Sequence, residues 1–297
     1  MDTISPMPGA LDPRMREILD ASPPLSSLAT AEMRRHALLS KQRWNDKARA
    51  GLRVIEEMTG SAHDLPTLRC EAPDATGTPI VHLHGGGWSI GSPQTHLSLL
   101  ADLAGALARP VLAPHPRQAP EHPYPAPLDD VLAALSDSAG GPLVVSGDSA
   151  GANLALAAAL KARDDGRALP ISALILFYGC YRRKQDTASH AAFGTDHGLT
   201  SEKMARFWDG YAPEGGAYAD LSEADFTGLP PVQLHIAECD PLADDSRWLA
   251  VRLRADGVHA ELHEWTGMAH GFLHYASALP QARDAFAAVA RFVGDTE

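Results

Sequence analysis

Cysteine is scarce in this sequence. The three cysteines among 297 residues, Cys70, Cys180 and Cys239, are widely spaced and form no C-x-x-C pair. A small, odd number argues against a scaffold built on disulfides and is typical of a reducing compartment. We therefore interpret all three as small buried hydrophobic residues.

Positive charge is also in short supply. Lysine and arginine number 25 against 37 aspartates and glutamates, which gives a formal net charge of −12 at pH 7. An acidic surface repels nucleic acid phosphates and anionic lipid headgroups. We expect neither nucleic acid nor a membrane surface to be a partner.

Long apolar runs are missing as well. No window approaches the roughly 18 uninterrupted apolar residues of a membrane-spanning helix, so no membrane span is predicted. Residues 1–11 contain no basic stretch ahead of an apolar core, which is unlike a secretory signal. A cytoplasmic protein is the default expectation.

The remaining composition is that of a folded globular protein, with 45% hydrophobic and 21% charged residues. The length suits one large α/β domain or two small ones. Apolar strand patterns alternate with helical patterns along most of the chain, which predicts an α/β fold: a mainly parallel sheet with helices on both faces. The predicted strands are residues 79–84, 111–113, 143–146, 171–178, 231–237 and 259–265, and the predicted helices are residues 95–108, 128–135, 151–163, 242–256 and 281–292.

Two regions do not follow this alternation. Residues 1–25 are rich in proline and serine, and we expect them to be extended or loosely docked, followed by a helix over residues 30–50. Residues 180–228 do not read as one strand–helix unit, although a helix is predicted over residues 201–211. We interpret residues 180–228 as an insertion.

A serine between two glycines lies where a predicted strand meets a predicted helix, in Gly147-Asp148-Ser149-Ala150-Gly151. A sharp turn of this kind lifts Ser149 into the open at the carboxyl end of a sheet and is typical of a nucleophile elbow. An ordinary Gly/Ser turn would look the same in isolation. The rest of the chain must decide between them.

A serine nucleophile needs a base, and the base needs an orienting carboxylate. His270 follows the last predicted strand, and Asp240 follows the strand before it. Loops at the carboxyl ends of parallel strands share one rim of the sheet, so these residues can converge on Ser149. Asp240 before Pro241 would also be a good helix N-cap, and the pattern alone does not separate Asp240 from Asp244 as the triad acid.

A glycine-rich loop, His84-Gly85-Gly86-Gly87, follows an early strand, at the place where esterases carry an oxyanion loop. Its backbone N–H groups, with that of Ala150, would stabilise the oxyanion. A phosphate cradle is disfavoured, because neither a Gly-Lys-Ser/Thr sequence nor G-x-G-x-x-G follows. His82 and His84 share a strand face but have no obvious third ligand, so no metal is predicted.

Together these motifs resemble the hormone-sensitive-lipase-like esterases, the bacterial family IV carboxylesterases of the α/β-hydrolase superfamily. Five motifs occur in the family's order over residues 84–272. They are His84-Gly85-Gly86-Gly87-Trp88, Ala119-Pro120-Glu121-His122-Pro123-Tyr124-Pro125-Ala126, Gly147-Asp148-Ser149-Ala150-Gly151, Asp240-Pro241-Leu242-Ala243-Asp244 and His270-Gly271-Phe272.

The resemblance implies a carboxylic ester hydrolase that works without a cofactor, with Asp240 as the triad acid and oxyanion donors at Gly86, Gly87 and Ala150. It also implies a helical cap, formed by residues 1–50 and 181–228, over an α/β-hydrolase core of residues 51–180 and 229–297. The expected substrate is a small, short-acyl ester. An acyltransferase or amidase on the same triad, or a non-catalytic binding protein on this fold, remains an alternative.

The chain departs from the family pattern at two places. Pro116-Arg117-Gln118 stands where the family usually has Tyr-Arg-Leu, and Ala152 where it often has glycine. The first change bears on the packing of the loop behind the oxyanion hole. We interpret Arg117 and Glu121 as structural ion-pairing residues.

Substrate-pocket residues are the hardest to assign. Trp88, beside the oxyanion loop, is the first candidate, and Phe207 and Tyr211 are further ones, although each could simply pack the cap. The last strand, residues 259–265, is a candidate sheet edge, and exposed edges invite pairing. A homodimer is therefore a further expectation.

Overall fold

A computed structural model describes residues 9–23, 27–49, 51–59 and 64–296. The helices, in chain order, are α1 (Pro13–Asp20), α2 (Thr30–Arg49), α3 (Leu97–Leu107), α4 (Ala126–Asp137), α5 (Ala150–Asp164), α6 (Ala188–Phe193), α7 (Ser201–Tyr211), α8 (Ala243–Ala255) and α9 (Pro280–Thr296). Short 3₁₀ helices span Pro93–His96 and Phe272–Tyr275. None of the described helices is long and apolar enough to cross a membrane.

The strands are β1 (Arg53–Thr59), β2 (Leu65–Glu71), β3 (Ile80–Leu83), β4 (Val111–Pro114), β5 (Leu143–Asp148), β6 (Ile171–Phe177), β7 (Val232–Ala237) and β8 (Ala260–Trp265). They form one sheet in the order β1-β2-β4-β3-β5-β6-β7-β8. Strand β2 is antiparallel to both of its neighbours, and β3 to β8 are parallel. The predicted mainly parallel α/β sheet is confirmed.

Helices cover both faces of this sheet because its central strands are apolar on both sides. In β6, Leu174 and Leu176 pack with α4, α5 and α8, whereas Ile175 and Phe177 pack with α1, α3 and α9. The parallel strands therefore end together at one rim, where the loops after β3, β5, β7 and β8 meet.

The expectation of an extended segment at residues 1–25 is wrong for the part that is described, since α1 lies within it. Asp12 caps this helix by accepting a hydrogen bond from the Arg14 amide at 2.8 Å, and Pro13 occupies the first turn. Met15 and Ile18 are buried. Residues 1–8 and 24–25 lie outside the described residues.

The three cysteines are free and buried, as expected. Between β6 and β7, residues 178–231 form α6, α7 and connecting turns without a described strand. The sequence-based helix over residues 201–211 coincides with α7.

Candidate active site

Ser149 lies alone between β5 and α5, with a backbone φ of 55°. The turn is possible only because the residues two positions away on each side, Gly147 and Gly151, lack side chains. A Cβ atom at Gly151 would lie 1.9 Å from the Leu83 carbonyl oxygen, and one at Gly147 would lie 2.4 Å from the Gly151 carbonyl. The strained φ and the close approach of strand and helix are the features of a nucleophile elbow.

Three side chains from separate loops form one hydrogen-bonded chain at the rim. The Ser149 Oγ lies 2.9 Å from His270 Nε2, and His270 Nδ1 lies 2.7 Å from Asp240 Oδ2. Asp240 is fully buried, and its other oxygen accepts the Leu242 amide at 2.9 Å. Asp240 is thus both the partner of the histidine and the start of the turn into α8.

Asp244, the second carboxylate of this motif, faces away from the histidine. Its Oδ2 accepts the Ser189 amide at 2.9 Å, and its Oδ1 is 2.7 Å from Arg247. Of the two carboxylates that the sequence pattern left open, Asp240 is the one that contacts His270.

Tyr178 supports the imidazole of His270 from the side. Its ring packs edge-on against the His270 ring at a centroid distance of 4.9 Å. Like Ser149, it has a positive φ, of 38°, at the end of its strand. Sequence reasoning missed this residue, because nothing in the pattern after β6 marks it apart from its position at the rim.

The glycine loop after β3 folds back over Ser149. Gly86 and Gly87 have φ values of 120° and 56°, which side chains rarely adopt. The Gly86 carbonyl accepts the Ile90 amide at 2.9 Å and closes the turn. No described residue accepts a hydrogen bond from the amides of Gly86, Gly87 or Ala150, which leaves all three able to donate to a ligand.

Asp148, beside the serine, anchors this loop. Its Oδ1 accepts the Gly85 amide at 2.8 Å and lies 3.3 Å from the Nε2 atoms of both His82 and His96. Burial alone would raise the pKa of the Asp148 carboxyl, but the histidines around it outweigh burial and lower that pKa well below its usual range. The carboxylate is therefore ionised, and it holds the glycine loop by a charge-assisted hydrogen bond.

The two histidines of β3 and its loop have structural partners. His82 Nδ1 lies 2.9 Å from the Ser146 hydroxyl, while His84 bonds the Gly85 carbonyl at 2.8 Å and His115 at 3.0 Å. Burial lowers the pKa of His82 and, more strongly, that of His84. Both rings therefore brace the loop from below.

Three residues singled out in the sequence stabilise the loop behind the glycines. Gln118 departs from the family pattern, and Arg117 and Glu121 were expected to form ion pairs. Gln118 donates to the carbonyls of Ile90 and Gly91 at 3.0 and 3.1 Å. Arg117 pairs with buried Asp130 at 2.7 Å, and Glu121 pairs with Arg34 of α2 at 2.8 Å. Both of the residues interpreted as structural are thus ion-paired, though not with each other.

A cavity of about 570 Å³ opens above Ser149, in the range of small-molecule sites. Gly86, Gly87, Ser149 and His270 lie in its wall, and α1, α2 and α7 form its other side. Phe207 lines the cavity.

Trp88 and Tyr211 do not lie in this cavity wall, in contrast to the sequence-based expectation. Trp88 is buried and stacks on Tyr211 with ring centroids 4.2 Å apart and planes 5° from parallel. A second aromatic neighbour of Trp88 is Trp208, with ring centroids 4.5 Å apart. These aromatic side chains fill the space between the loop and α7, since packing against one another buries more apolar surface than facing a cavity.

A sequence model described as the alpha/beta hydrolase fold matches residues 80–274. That span covers β3 to β8 and every one of the rim loops described above. The chain belongs to the α/β-hydrolase family and, within it, to the hormone-sensitive-lipase-like esterases.

The relatives make the class more specific. The carboxylesterase NlhH of Mycobacterium tuberculosis is 32% identical over 301 residues, covering 93% of this chain and 92% of its own. An acetyl-hydrolase of Streptomyces hygroscopicus is 32% identical over 226 residues, covering 73% and 75% of the two chains. A solved esterase of the bacterial hormone-sensitive lipase family superposes with a TM-score of 0.85 at 27% identity, covering 97% of this chain and 99% of its own.

These findings confirm the predicted fold and the predicted enzyme class. The protein is a carboxylesterase, which hydrolyses esters as a member of a serine hydrolase family. The alternative of a non-catalytic binding protein is set aside by the same finding.

Proposed function

We propose that Ser149, His270 and Asp240 are the catalytic triad of this esterase, with Gly86, Gly87 and Ala150 as the oxyanion hole. The observation that carries the proposal is the continuous hydrogen-bonded chain, 2.9 Å from Ser149 to His270 and 2.7 Å from His270 to Asp240, on the wall of the cavity. Asp240 holds the Nδ1 proton in place, so that Nε2 is free to act as the base.

The reaction follows from these positions. His270 takes the hydroxyl proton as Ser149 attacks the ester carbonyl, and the resulting oxyanion receives hydrogen bonds from the three free amides. His270 then protonates the departing alcohol, and water releases the acyl group by the same route. Each oxyanion donor is worth about 3–4 kcal/mol of transition-state stabilisation in enzymes of this kind.

The substrates that we propose are small esters with short acyl chains. The cavity wall that contains Ser149 also contains the apolar side chains of Met33 in α2 and of Met204 and Phe207 in α7, and the Phe207 ring lies against Gly87. The name of the acetyl-hydrolase relative indicates the same substrate size. Phe207 is the residue of the three pocket candidates whose position supports a role in binding the ester.

We further propose that residues 1–50 and 181–228 act as a cap over the core of residues 51–180 and 229–297. Support comes from the cavity wall, to which α1, α2 and residues 195–207 contribute. Arg34 ties α2 to the oxyanion loop by donating to the Ser89 carbonyl at 2.8 Å. A cap held in this way excludes water and selects the substrate.

The test compares wild type with Ser149→Ala on a series of p-nitrophenyl esters of increasing acyl length, with an anilide of matched acyl group. We expect hydrolysis to be fastest for the short esters, slow for the anilide, and reduced by about 10⁶-fold in the variant. An organophosphate should add its mass to wild type and not to Ser149→Ala. Retained turnover or labelling in the variant would refute the triad, and a preference for long chains would refute only the substrate assignment.

A further inference from the structure

Three buried side chains beside the active-site cavity come together from separate parts of the chain. His96 ends the 3₁₀ helix before α3, Asp148 ends β5, and His274 lies in the 3₁₀ helix after His270. The ligand atoms of these residues all lie within 4.8 Å of one another. Their exposed fractions are 5%, 3% and 5%, and all three residues line the cavity.

The ring of His96 is held in one orientation. Its Nδ1 lies 3.0 Å from the Ser92 carbonyl oxygen, which can only accept, so Nδ1 carries a proton. Its Nε2 faces Asp148 Oδ1, 3.3 Å away, as an N–H donor when the ring is protonated and as a free ligand atom when the ring is neutral. A metal cation can take the place of the proton between these two atoms, and an imidazole that donates to a backbone carbonyl is the usual support of a metal ligand.

His274 provides the second, independent observation. Its Nδ1 is shielded from solvent and has no hydrogen-bond partner among the described residues. A buried polar atom without a partner costs about 1–3 kcal/mol. The ring lies edge-on to His96 at a centroid distance of 4.6 Å, which places this unsatisfied group in the same cluster as the ionised Asp148.

We propose that His96, Asp148 and His274 bind a divalent transition-metal ion of the Zn²⁺ type, and that the bound ion slows ester hydrolysis. Two imidazoles and one carboxylate form a donor set that suits Zn²⁺ and its neighbours better than Mg²⁺ or Ca²⁺. The cavity supplies both the entry path and room for a water molecule as the fourth ligand. This proposal departs from the sequence-based expectation of no metal, which weighed only His82 and His84, and neither of those belongs to this set.

The surroundings set limits on the affinity. The Lys41 ammonium, which donates to the Tyr275 hydroxyl, lies on the His274 side of the cluster and opposes a second cation. The Nε2 atom of His82 already lies 3.3 Å from Asp148 Oδ1 and competes with an ion for that oxygen. Both effects favour reversible binding over a permanently held ion.

The effect on catalysis follows from Asp148, whose Oδ1 also accepts the Gly85 amide of the oxyanion loop at 2.8 Å. An ion coordinated by this carboxylate competes with that amide and loosens the glycine loop. The inhibition rests on the proposed function of that loop, whereas the metal binding does not.

The binding test uses full-length protein that has been treated with a chelator and then titrated with Co²⁺, followed by displacement with Zn²⁺. We expect one equivalent to bind, with the visible absorption of a four-coordinate ion. His274→Gln and His96→Asn should each weaken binding by at least about 10-fold. His259→Gln, in an exposed histidine ahead of β8, is the matched control and should bind like wild type.

Ser149→Ala should bind the ion unchanged, which separates this site from the esterase machinery. If wild type binds no stoichiometric ion at micromolar concentrations, or if His259→Gln loses binding while His274→Gln keeps it, the site is refuted. Melting curves identify a variant that fails to fold, and the wild-type titration decides the question in that case.

The inhibition is measured separately. Zn²⁺ should lower wild-type ester hydrolysis reversibly, with recovery on adding a chelator, and should not lower the residual hydrolysis of a folded His274→Gln variant. Stoichiometric binding without any loss of activity would refute the inhibitory effect and leave the metal site standing.

Discussion

Two aspartates four positions apart, Asp240 and Asp244, show how much a single residue's setting decides. Asp240 precedes α8 and Asp244 lies in its first turn, but only Asp240 is fully buried and contacts His270, at 2.7 Å. The Asp244 carboxylate instead accepts hydrogen bonds from the Ser189 amide and from Arg247. The chemistry proposed for one should therefore be missing from the other.

We predict that Asp240→Asn lowers kcat by about 10³–10⁴-fold, because the amide N–H can donate to Nδ1 and favour the wrong tautomer of His270, and because the neutral amide does not stabilise the imidazolium. Asp244→Asn, the matched control, should lower kcat by less than about 3-fold and mainly reduce stability, since it weakens a surface pair. Steady-state kinetics and melting curves of the two variants make the measurement. Equal losses of kcat would contradict the assignment of Asp240.

At the level of single residues, sequence order was enough to select the three residues that the structure joins in one hydrogen-bonded chain, but not their neighbours. Ser149, Asp240 and His270 each follow a strand in a recognisable motif. Tyr178, His96 and His274 have no motif, and only the sheet topology brings them to the same rim. Trp88 was expected in the pocket wall, but its side chain stacks on Tyr211 instead. This stacking is a long-range contact, which the glycines next to Trp88 do not indicate.

Whole elements were easier to predict than contacts. Buried parallel strands such as β6 read as continuous apolar runs between glycines and prolines, so their positions agree closely with the expectation. Helix α1 was not predicted, because it has only eight residues in a stretch rich in proline and serine. Its start is marked only by Asp12 and Pro13. Short helices depend on tertiary packing, which a local pattern does not contain.

One ion pair joins α2 to the segment behind the glycine loop. Arg34 makes two hydrogen bonds of 2.8 Å to the Glu121 carboxylate, and these bonds are the main reason that the pKa of Glu121 falls from 4.5 to about 2. A carboxyl whose pKa is lower in the folded state stabilises the fold above its unfolded pKa. That contribution is lost as the pH falls from 4.5 towards 2.

We predict that Glu121→Gln lowers the free energy of unfolding by about 0.5–1 kcal/mol at neutral pH, a modest value because the pair is partly exposed and screened by solvent. The difference from wild type should shrink as the pH is lowered below about 4.5. Urea unfolding at several pH values measures it, with the exposed Glu223→Gln as the control. A difference that stays constant down to the lowest pH at which both proteins fold would count against the ion pair.

At the scale of the whole molecule, β8 forms one edge of the sheet. Strand β8 ends the strand order, as expected from the sequence, and its residues 260, 262 and 264 direct their backbone groups away from β7. The Ala260 carbonyl is already occupied by Arg254 at 2.9 Å. The backbone groups left for pairing with another strand are mainly those of Leu262 and Glu264. Because this free edge is short, it protects against extended aggregation.

We predict that two copies associate weakly through this edge. Few hydrogen bonds are available, and each copy carries a formal charge of −12, so the dimer should strengthen with protein concentration and with added salt. Sedimentation velocity measures the dimer fraction. Glu264→Pro removes an outward amide without breaking the β7–β8 ladder and should give a monomer, whereas Glu223→Gln should behave like wild type. A monomer under all conditions, or a tight dimer that survives Glu264→Pro, would show that this edge is not the interface.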